Sequence, residues 1–293
     1  MLLAISGTEL NSSDSITKLI NEAKKNEVGF VELWYPQNFE VEGVERTLEL
    51  ISEAGLKVTC ISTGTELYRA GGSLEDQKLL MQAIELAHQS QAVFANTYFG
   101  YSNIQDDKRA MSEYQKYLKP CLSLAEELGI TITLENEFDL FGVDTFQSDI
   151  TRRPLSLLEM MEQVDSPNFK LTFDPCNYYY TGLEPFPLAY EILKPHIAYI
   201  QVKDGSCYSP KIHSQESSWK KYKDFDREYI MQPLGQGAIN WFGFIYRLKE
   251  DGYDSFLSLE PHSQRSFLEN SWLQSVNHLR IIFNQLSIEE LKS

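Results

Sequence analysis

The chain has few cysteines and histidines and no long apolar run, and each of these shortages disfavours a class of protein. Its four cysteines, Cys60, Cys121, Cys176 and Cys207, follow no short regular spacing, and the N-terminal apolar stretch is too short for a signal-peptide core, so we expect a reducing, cytoplasmic compartment. No apolar run approaches the roughly 18 residues that a membrane-spanning helix needs, so we predict no membrane partner. With five histidines in the whole chain, a histidine-rich metal cluster is also disfavoured.

Positive charge is the next shortage. Lysine and arginine together number 26, against 42 aspartates and glutamates, which gives a formal net charge of -16. Such a surface repels nucleic acid phosphates, and the only basic cluster lies at Lys220, Lys221 and Lys223, so we predict no nucleic acid partner. A hydrophobic content of 42%, with 12% aromatic residues, is ample for a folded core and excludes a disordered chain.

Strand-like and helix-like segments alternate eight times along the 293 residues, and no linker divides them. This pattern predicts a single-domain α/β protein, residues 1–293, in which a parallel sheet closes into a (β/α)8 TIM barrel. A doubly wound open sheet is the competing fold, but no Gly-x-Gly-x-x-Gly sequence follows the first strand. Two segments are predicted to be irregular: a loop at 178–187, and a longer stretch at 205–237 that is a candidate lid.

Four predicted strands end in a polar residue with an oxygen donor: Glu135, Asp174, Gln201 and Glu260. Because side chains alternate along a strand, these residues share its polar face, while the apolar face packs beneath helices. The polar face then points into the barrel, and at the C-terminal rim the four side chains can converge on one ion. Three carboxylates and one amide oxygen suit a single divalent metal ion, with Mn²⁺ or Mg²⁺ favoured and Co²⁺ or Zn²⁺ left open. Taken singly, each residue has an alternative role as a helix cap or a salt-bridge partner.

Residues close to these four in sequence are candidates for contact with a substrate. Lys203 lies on the ion-facing side of its strand, so we predict that it acts in catalysis by holding a substrate oxygen; a structural ion pair is the alternative. His262 is a candidate donor to the substrate, against the alternative of a hydrogen-bonded loop residue. Trp34, Tyr98 and Phe99 follow strand ends and are predicted to form an apolar wall against a sugar ring, although such aromatic residues often only pack.

Three further polar residues are predicted to support the metal ligands from a second layer. They are Glu137, Asn177 and Asp204. Asn177 is also a candidate for direct contact with the substrate.

Five short motifs follow one another in a fixed order and span nearly the whole chain. They are Leu134-Glu-Asn-Glu137, Phe173-Asp-Pro-Cys-Asn177, Ile200-Gln-Val-Lys-Asp204, Pro233-Leu-Gly-Gln-Gly237 and Leu257-Ser-Leu-Glu-Pro-His262. In this order they resemble the xylose isomerase-like TIM barrels, which include sugar-phosphate isomerases, ketose 3-epimerases and endonuclease IV. The resemblance implies Glu135, Asp174, Gln201 and Glu260 as the metal ligands, and Glu135 and Glu260 as the acid/base pair.

The chain departs from the commonest pattern of that family at three positions where histidine is usual. They are Gln201, Asn177 and Glu137. An amide oxygen still coordinates hard cations, so the change at Gln201 weakens the case for zinc more than the case for Mn²⁺ or Mg²⁺. Glutamine at this position also resembles some 3-dehydroshikimate dehydratases. The shortage of histidine and the acidic charge fit endonuclease IV poorly.

The chemistry of such a site leaves three reactions open. An ion bound to two neighbouring oxygens of a hydroxy-ketone acidifies the intervening C–H and stabilises the enediolate that forms. Return of the proton to the opposite face gives epimerisation, return to the adjacent carbon gives isomerisation, and loss of a β-hydroxyl gives dehydration.

The leading prediction is therefore a divalent-metal-dependent isomerase or epimerase whose partner is a small-molecule carbohydrate: a small sugar, a sugar phosphate or a cyclic polyol. The alternatives are a lyase of the 3-dehydroshikimate dehydratase type and a non-catalytic sugar-binding barrel. A phosphate group would need a cation such as Lys203, Arg69 or the lysines of 211–223, whereas the acidic balance favours a neutral sugar. We also expect a small homo-oligomer.

Overall fold

Eight parallel strands form a closed barrel in a computed structural model that describes residues 1–69, 73–100, 106–138, 149–213, 219–224 and 227–290. The strands of the described chain are Leu2–Ser6 (β1), Phe30–Tyr35 (β2), Lys57–Glu66 (β3), Phe94–Tyr98 (β4), Thr131–Glu135 (β5), Phe169–Phe173 (β6), Ile197–Val202 (β7), Asp204–Cys207 (β8), Lys221–Asp224 (β9), Arg227–Gln232 (β10) and Phe256–Leu259 (β11). Strands β1 to β7 and β11 pair in parallel with their neighbours, and β11 pairs with β1 to close the barrel. The predicted (β/α)8 TIM barrel is confirmed.

Helices on the outside of the barrel connect the strands. In the described part of the chain they are Thr17–Lys25 (α1), Val44–Glu53 (α2), Leu74–Gln89 (α3), Asp107–Leu128 (α4), Pro154–Val164 (α5), Pro175–Tyr180 (α6), Tyr190–Leu193 (α7), Trp241–Glu250 (α8) and Leu268–Leu286 (α9). Local sequence sets the ends of the longest one: Asp106 accepts hydrogen bonds from two amides of its first turn, and Gly129 closes it with φ of 70°. Among the described residues, none of the helices combines the length and the apolar character needed to cross a lipid bilayer.

The barrel strands are buried on both faces, as their nearly continuous apolar runs predict. Outward-facing residues such as Ile132, Leu134 and Ile200 are fully buried beneath the helices. Inside the barrel, a separate apolar cluster fills the end that carries the N-termini of the strands; it consists of Ala4, Phe30, Cys60, Phe94, Tyr199 and Phe256. The inward-facing residues nearer the C-terminal end are polar, and this polarity positions the site described below.

Two segments predicted to be irregular contain regular structure. The residues at 178–187 begin within α6, which starts at Pro175 because Asp174 accepts a hydrogen bond from the Asn177 amide and proline favours the first helical position. The residues at 205–237 contribute to a three-stranded antiparallel sheet in the order β8-β10-β9, which we call the rim sheet. Both predictions of irregular structure were wrong. Polar and aromatic residues are typical of loops, but here they form a short helix in the first segment and a hairpin in the second. The described strands of the rim sheet do not test a lid movement.

Candidate active site

Three carboxylates meet at the C-terminal rim of the barrel. Glu135 is the last residue of β5, Asp174 follows β6 and Glu260 follows β11. All three are buried, and each offers an oxygen that lies within 4.8 Å of those of the other two. The carboxyl ends of parallel barrel strands share one rim, which is why residues so distant in sequence come together. We call these three residues the carboxylate cluster.

Lys203 supplies a positive charge inside the carboxylate cluster. Its Nζ lies 2.8 Å from Asp174 Oδ2 and 2.9 Å from Glu260 Oε2. Burial lowers the pKa of Lys203, but the charges of Asp174 and Glu260 outweigh burial and hold this pKa above its usual value. The ammonium group is therefore charged and forms the ion pair considered from the sequence, while its catalytic role stays a prediction.

Glu135 is oriented by two asparagine side chains. Asn96 Nδ2 donates to Glu135 Oε2 at 3.0 Å, and Asn177 Nδ2 donates to Glu135 Oε1 at 3.3 Å. Burial and the charge of Glu260 raise the pKa of Glu135 well above its usual value. Glu260 responds in the opposite direction, because Lys203 outweighs burial and holds the pKa of Glu260 below its usual range. The two glutamates therefore have unlike affinities for a proton.

Asp174 is fixed through its backbone as well as its carboxylate. The Asn136 side chain accepts from the Asp174 amide at 2.8 Å and donates to the Asp174 carbonyl at 2.9 Å. The carboxylate Oδ1 accepts from the Asn177 amide at 3.0 Å. Asn177 thus contacts two residues of the cluster, and its role in orienting metal ligands stays a prediction.

Gln201 lies one layer deeper in the barrel than Glu260. In the register of the barrel Gln201 stands beside Ser258, two residues before Glu260. Its amide nitrogen donates to both oxygens of Glu32, at 3.0 and 3.1 Å. Its carbonyl oxygen Oε1 is buried and has no hydrogen-bond partner among the described residues.

This donor set fits the predicted divalent ion. Three buried carboxylates and one buried amide oxygen without a partner are the hard oxygen ligands that Mn²⁺ and Mg²⁺ prefer. A buried polar atom without a hydrogen bond is costly, and coordination of a cation would compensate for it.

His262 connects Glu260 to a second acidic residue. His262 Nδ1 lies 2.5 Å from Glu9 Oε1, and His262 Nε2 lies 3.5 Å from Glu260 Oε2. Lys220 of the rim sheet region contacts the same Glu9 carboxylate at 2.7 Å. His262 is therefore a hydrogen-bonded residue beside the cluster, and its contact with a substrate stays a prediction.

Two of the three predicted aromatic residues lie next to each other at the rim. The rings of Trp34 and Tyr98 are 6.3 Å apart, and Trp34 Nε1 donates to Ser6 at 3.2 Å. Phe99 is fully buried and stacks on Tyr114 of α4 with ring centroids 4.8 Å apart. Phe99 therefore packs in the core, contrary to the prediction that it faces a sugar.

The remaining predicted residues, Glu137 and Asp204, have partners outside the cluster. Glu137 Oε1 accepts from the amide of Phe138 at 2.7 Å. Asp204 accepts from four backbone amides, three of which belong to the loop between β10 and α8. Asp204 therefore links this loop to β8, and all four of these hydrogen bonds come from backbone amides rather than from residues of the cluster.

Sequence reasoning missed four residues that hold the site together. They are Glu9, Glu32, Asn96 and Asn136, which contact His262, Gln201, Glu135 and Asp174 respectively. The sequence does carry a signal for Glu32, because it is a lone carboxylate within the apolar strand Phe30–Tyr35. A charged residue in the buried part of a strand requires partners inside the barrel.

The closed parallel barrel, with its buried carboxylates at the C-terminal rim, agrees with a match to a known family. The xylose isomerase-like TIM barrel family matches residues 20–282 of the chain. The chain belongs to this family.

Individual relatives include a dehydratase and an epimerase-like protein. The chain is 24% identical over 263 residues to a 3-dehydroshikimate dehydratase of Bacillus anthracis, in a match that covers 87% of this chain and 89% of the relative. Among solved structures it is similar to the probable 3-DHS dehydratase of Bacillus anthracis, with a TM-score of 0.73, 20% identity, and coverage of 96% of this chain and 99% of the other. It is also similar to a D-tagatose 3-epimerase-like protein, with a TM-score of 0.72, 18% identity and 98% coverage of both chains. These structural likenesses, at low identity, establish the shared fold.

Proposed function

We propose that the protein is a divalent-metal-dependent isomerase or epimerase that acts on a small uncharged sugar or cyclic polyol. The observation that carries this proposal is the carboxylate cluster, in which three buried acidic residues offer oxygens within 4.8 Å of one another. Without a cation, three buried carboxylates repel one another, and Lys203 balances only one of the three charges. The relatives of the family support the same chemistry, since they include epimerases.

Glu135, Asp174, Gln201 and Glu260 would hold the ion. An ion bound there supplies Lewis-acid stabilisation of the negative charge that develops on the substrate oxygens. Mn²⁺ or Mg²⁺ fits best because all four donors are oxygens.

Glu135 and Glu260 act as the acid/base pair in this proposal. One carboxylate removes a proton from a carbon next to the substrate carbonyl, and the other returns a proton to the opposite face or to the adjacent carbon. Asn96 and Asn177 hold the Glu135 carboxylate in a fixed position during this exchange. Trp34 and Tyr98 lie side by side at the rim, where they would pack against a sugar ring.

A neutral substrate is favoured over a phosphorylated one because the rim cations already contact carboxylates. Lys203 contacts Asp174 and Glu260, and Arg69 contacts Glu66 and Asp76. Among the lysines at 211–223, Lys220 contacts Glu9, Lys221 lies over the Tyr208 ring, and Lys211 and Lys223 are exposed. A small homo-oligomer in the cytoplasm stays a prediction.

A lyase of the 3-dehydroshikimate dehydratase type is the second candidate. It is favoured by Gln201 at the strand end and by the sequence relative of that name, whose match covers 87% of this chain. Both reactions begin with removal of a proton beside a carbonyl, so the same carboxylates serve either one.

The test is an assay of the full-length protein after removal of bound metal with a chelator and addition of Mn²⁺. A panel of ketoses in deuterated solvent detects epimerisation or isomerisation as deuterium incorporated at carbon. Incubation with 3-dehydroshikimate detects dehydration as a product lighter than the substrate by one water. We expect Mn²⁺-dependent turnover of a ketose that falls by at least about 100-fold in Glu135→Gln and Glu260→Gln.

Glu22→Gln is the matched control, because Glu22 is buried and its carboxylate accepts hydrogen bonds from Lys25 and Asn26 at the end of α1, away from the cluster. This variant should keep full activity. Dehydration with no ketose turnover would replace the isomerase by the lyase. Absence of Mn²⁺ binding in the unaltered protein would reject both and favour a sugar-binding barrel without catalysis.

A further inference from the structure

Glu32 is a buried carboxylate to which neither the sequence motifs nor the proposed reaction gives a role. It lies in the middle of β2, and its side chain points into the barrel beneath the carboxylate cluster. None of its surface is exposed to solvent. A carboxylate in such a position is retained only where hydrogen bonds compensate for its burial.

Glu32 accepts hydrogen bonds from four side chains, which lie on three different strands. Ser62 Oγ of β3 lies 2.5 Å from Oε1, and Ser258 of β11 donates to Oε2. Tyr199 of β7 approaches Oε2 from the apolar end of the barrel at 3.4 Å. Gln201 completes the set through its amide nitrogen, at 3.0 Å from one Glu32 oxygen and 3.1 Å from the other. The Glu32 carboxylate therefore has a fixed position that does not depend on Gln201 alone.

This arrangement determines which end of the Gln201 amide faces the cluster. An ionised Glu32 only accepts hydrogen bonds, so the amide nitrogen faces Glu32 and the carbonyl oxygen points away from it, as the two N–H···O contacts show. That oxygen is buried and has no hydrogen-bond partner among the described residues. In the reversed orientation the carbonyl oxygen would meet two carboxylate oxygens and be repelled by them.

We propose that Glu32 is a positioning residue that orients the Gln201 amide so that its carbonyl oxygen serves as the fourth ligand of a divalent ion. This inference rests on the proposed metal-dependent function. It adds that Glu32 is the residue that keeps the oxygen of the Gln201 amide, rather than its nitrogen, directed at the ion. A free glutamine amide can present either its oxygen or its nitrogen, and only the oxygen coordinates a cation. Groups that orient ligands in this way affect metal affinity by about 10-fold to 100-fold.

The test measures the dissociation constant of Mn²⁺ by titration calorimetry on the full-length, chelator-treated protein. Glu32→Gln keeps the size of the side chain but lets the facing amide bind in either orientation, so Mn²⁺ affinity should fall by about 10-fold to 100-fold. Gln201→Leu removes the ligand itself and should lower affinity at least as much. Ser62→Ala removes one donor to Glu32 without touching Gln201, and should change affinity by less than about threefold.

The double variant Glu32→Gln, Gln201→Leu separates positioning from a general structural role. If Glu32 acts through Gln201, the double variant binds Mn²⁺ no more weakly than Gln201→Leu alone. Losses that multiply, or a Glu32→Gln variant with unchanged affinity, overturn the proposal. Failure of the unaltered protein to bind Mn²⁺ rejects the metal-dependent function, and this proposal with it.

Gln201→His provides a second variant in case Glu32→Gln does not fold. An imidazole can donate one ring N–H to Glu32 and present its other nitrogen to the ion, so Glu32 retains its partner. The expected result is retained binding with a preference for Zn²⁺ over Mn²⁺ that rises at least tenfold, since nitrogen ligands favour zinc. A Gln201→His protein that keeps its melting temperature but binds neither ion contradicts the proposed orientation.

Discussion

Replacement of Asp204 by asparagine should destabilise the protein and loosen one loop selectively. Asp204 Oδ1 accepts from the amides of Gly205 and Ile239 at 2.9 and 3.2 Å, and Oδ2 accepts from those of Gly235 and Gly237 at 2.8 and 3.1 Å. An asparagine of the same shape keeps one oxygen and offers an NH₂ group in place of the other. Whichever way the amide turns, two backbone amides lose their acceptor and face a donor instead.

The size of the effect follows from the number of hydrogen bonds lost. A hydrogen bond to a charged group contributes about 1.5–3 kcal/mol, so two lost bonds cost about 3–6 kcal/mol. At about 2 °C per kcal/mol for a chain of this size, the melting temperature should fall by at least about 6 °C. Glu250→Gln is the control, because Glu250 is exposed on α8 and its replacement should change the free energy of unfolding by less than about 0.5 kcal/mol.

Hydrogen exchange locates the effect within the chain. Amide protection of residues 234–239 should fall by at least about tenfold, because each 1.4 kcal/mol changes an opening equilibrium tenfold, while protection in α4 should change less. The loop also requires its glycines, since Gly235 has φ of 83° and a Cβ at Gly237 would lie 2.0 Å from Asp204 Oδ1. A melting temperature within about 2 °C of the unaltered protein, with unchanged exchange at 234–239, would refute this account of Asp204.

Two further predictions concern buried acidic residues. The buried Arg152 side chain lies 2.7 Å from Asp224 Oδ1, and Asp224→Asn would leave this cation beside a neutral amide. The free energy of unfolding, measured by chemical denaturation, should fall by about 3 kcal/mol. A loss below about 1 kcal/mol would show that the fold does not need this ion pair. Burial raises the pKa of Asp149 to about 7 from 3.8, so the folded state binds this proton more tightly and the stabilisation present below pH 3.8 is lost as pH rises towards 7. Between pH 3.8 and 7, the free energy of unfolding should therefore fall less in Asp149→Asn than in the unaltered protein. An identical dependence on pH in the two proteins would contradict the raised pKa of Asp149.

The sequence was sufficient to predict the barrel and to predict which residues of each strand face its interior. Alternating apolar and polar residues placed Glu135, Asp174 and Glu260 on inward-facing positions at strand ends, and the structure brings their oxygens together. Such predictions succeed because side-chain direction in a strand depends only on the position of the residue along it. The rim sheet was missed because pairing between β8 and β10 joins residues more than twenty positions apart, with no regular spacing to reveal it.

Depth within the barrel could not be predicted from alternation. Gln201 and Glu260 share an inward direction, but the register of β7 and β11 places Gln201 beside Ser258 and therefore beneath Glu260. Register depends on how all eight strands close, which no single strand encodes. For the same reason the link between Gln201 and Glu32, which are 169 residues apart, appears only in the folded chain.

The charge of the cluster bears directly on the choice between the two candidate reactions. When ionised, Glu135, Asp174 and Glu260 together with Lys203 carry three negative charges and one positive, a sum that one divalent ion brings to zero. A neutral sugar then enters a site that is already balanced, whereas 3-dehydroshikimate brings a carboxylate that requires another cation. Two lysines lie beside His262, and both are already paired: Lys203, whose Nζ lies 3.4 Å from His262 Nε2, contacts Asp174 and Glu260, and Lys220 contacts Glu9 at 2.7 Å. A dehydratase would therefore have to release one of these lysines from its carboxylate or draw a cation from elsewhere in the chain, and an epimerase needs neither.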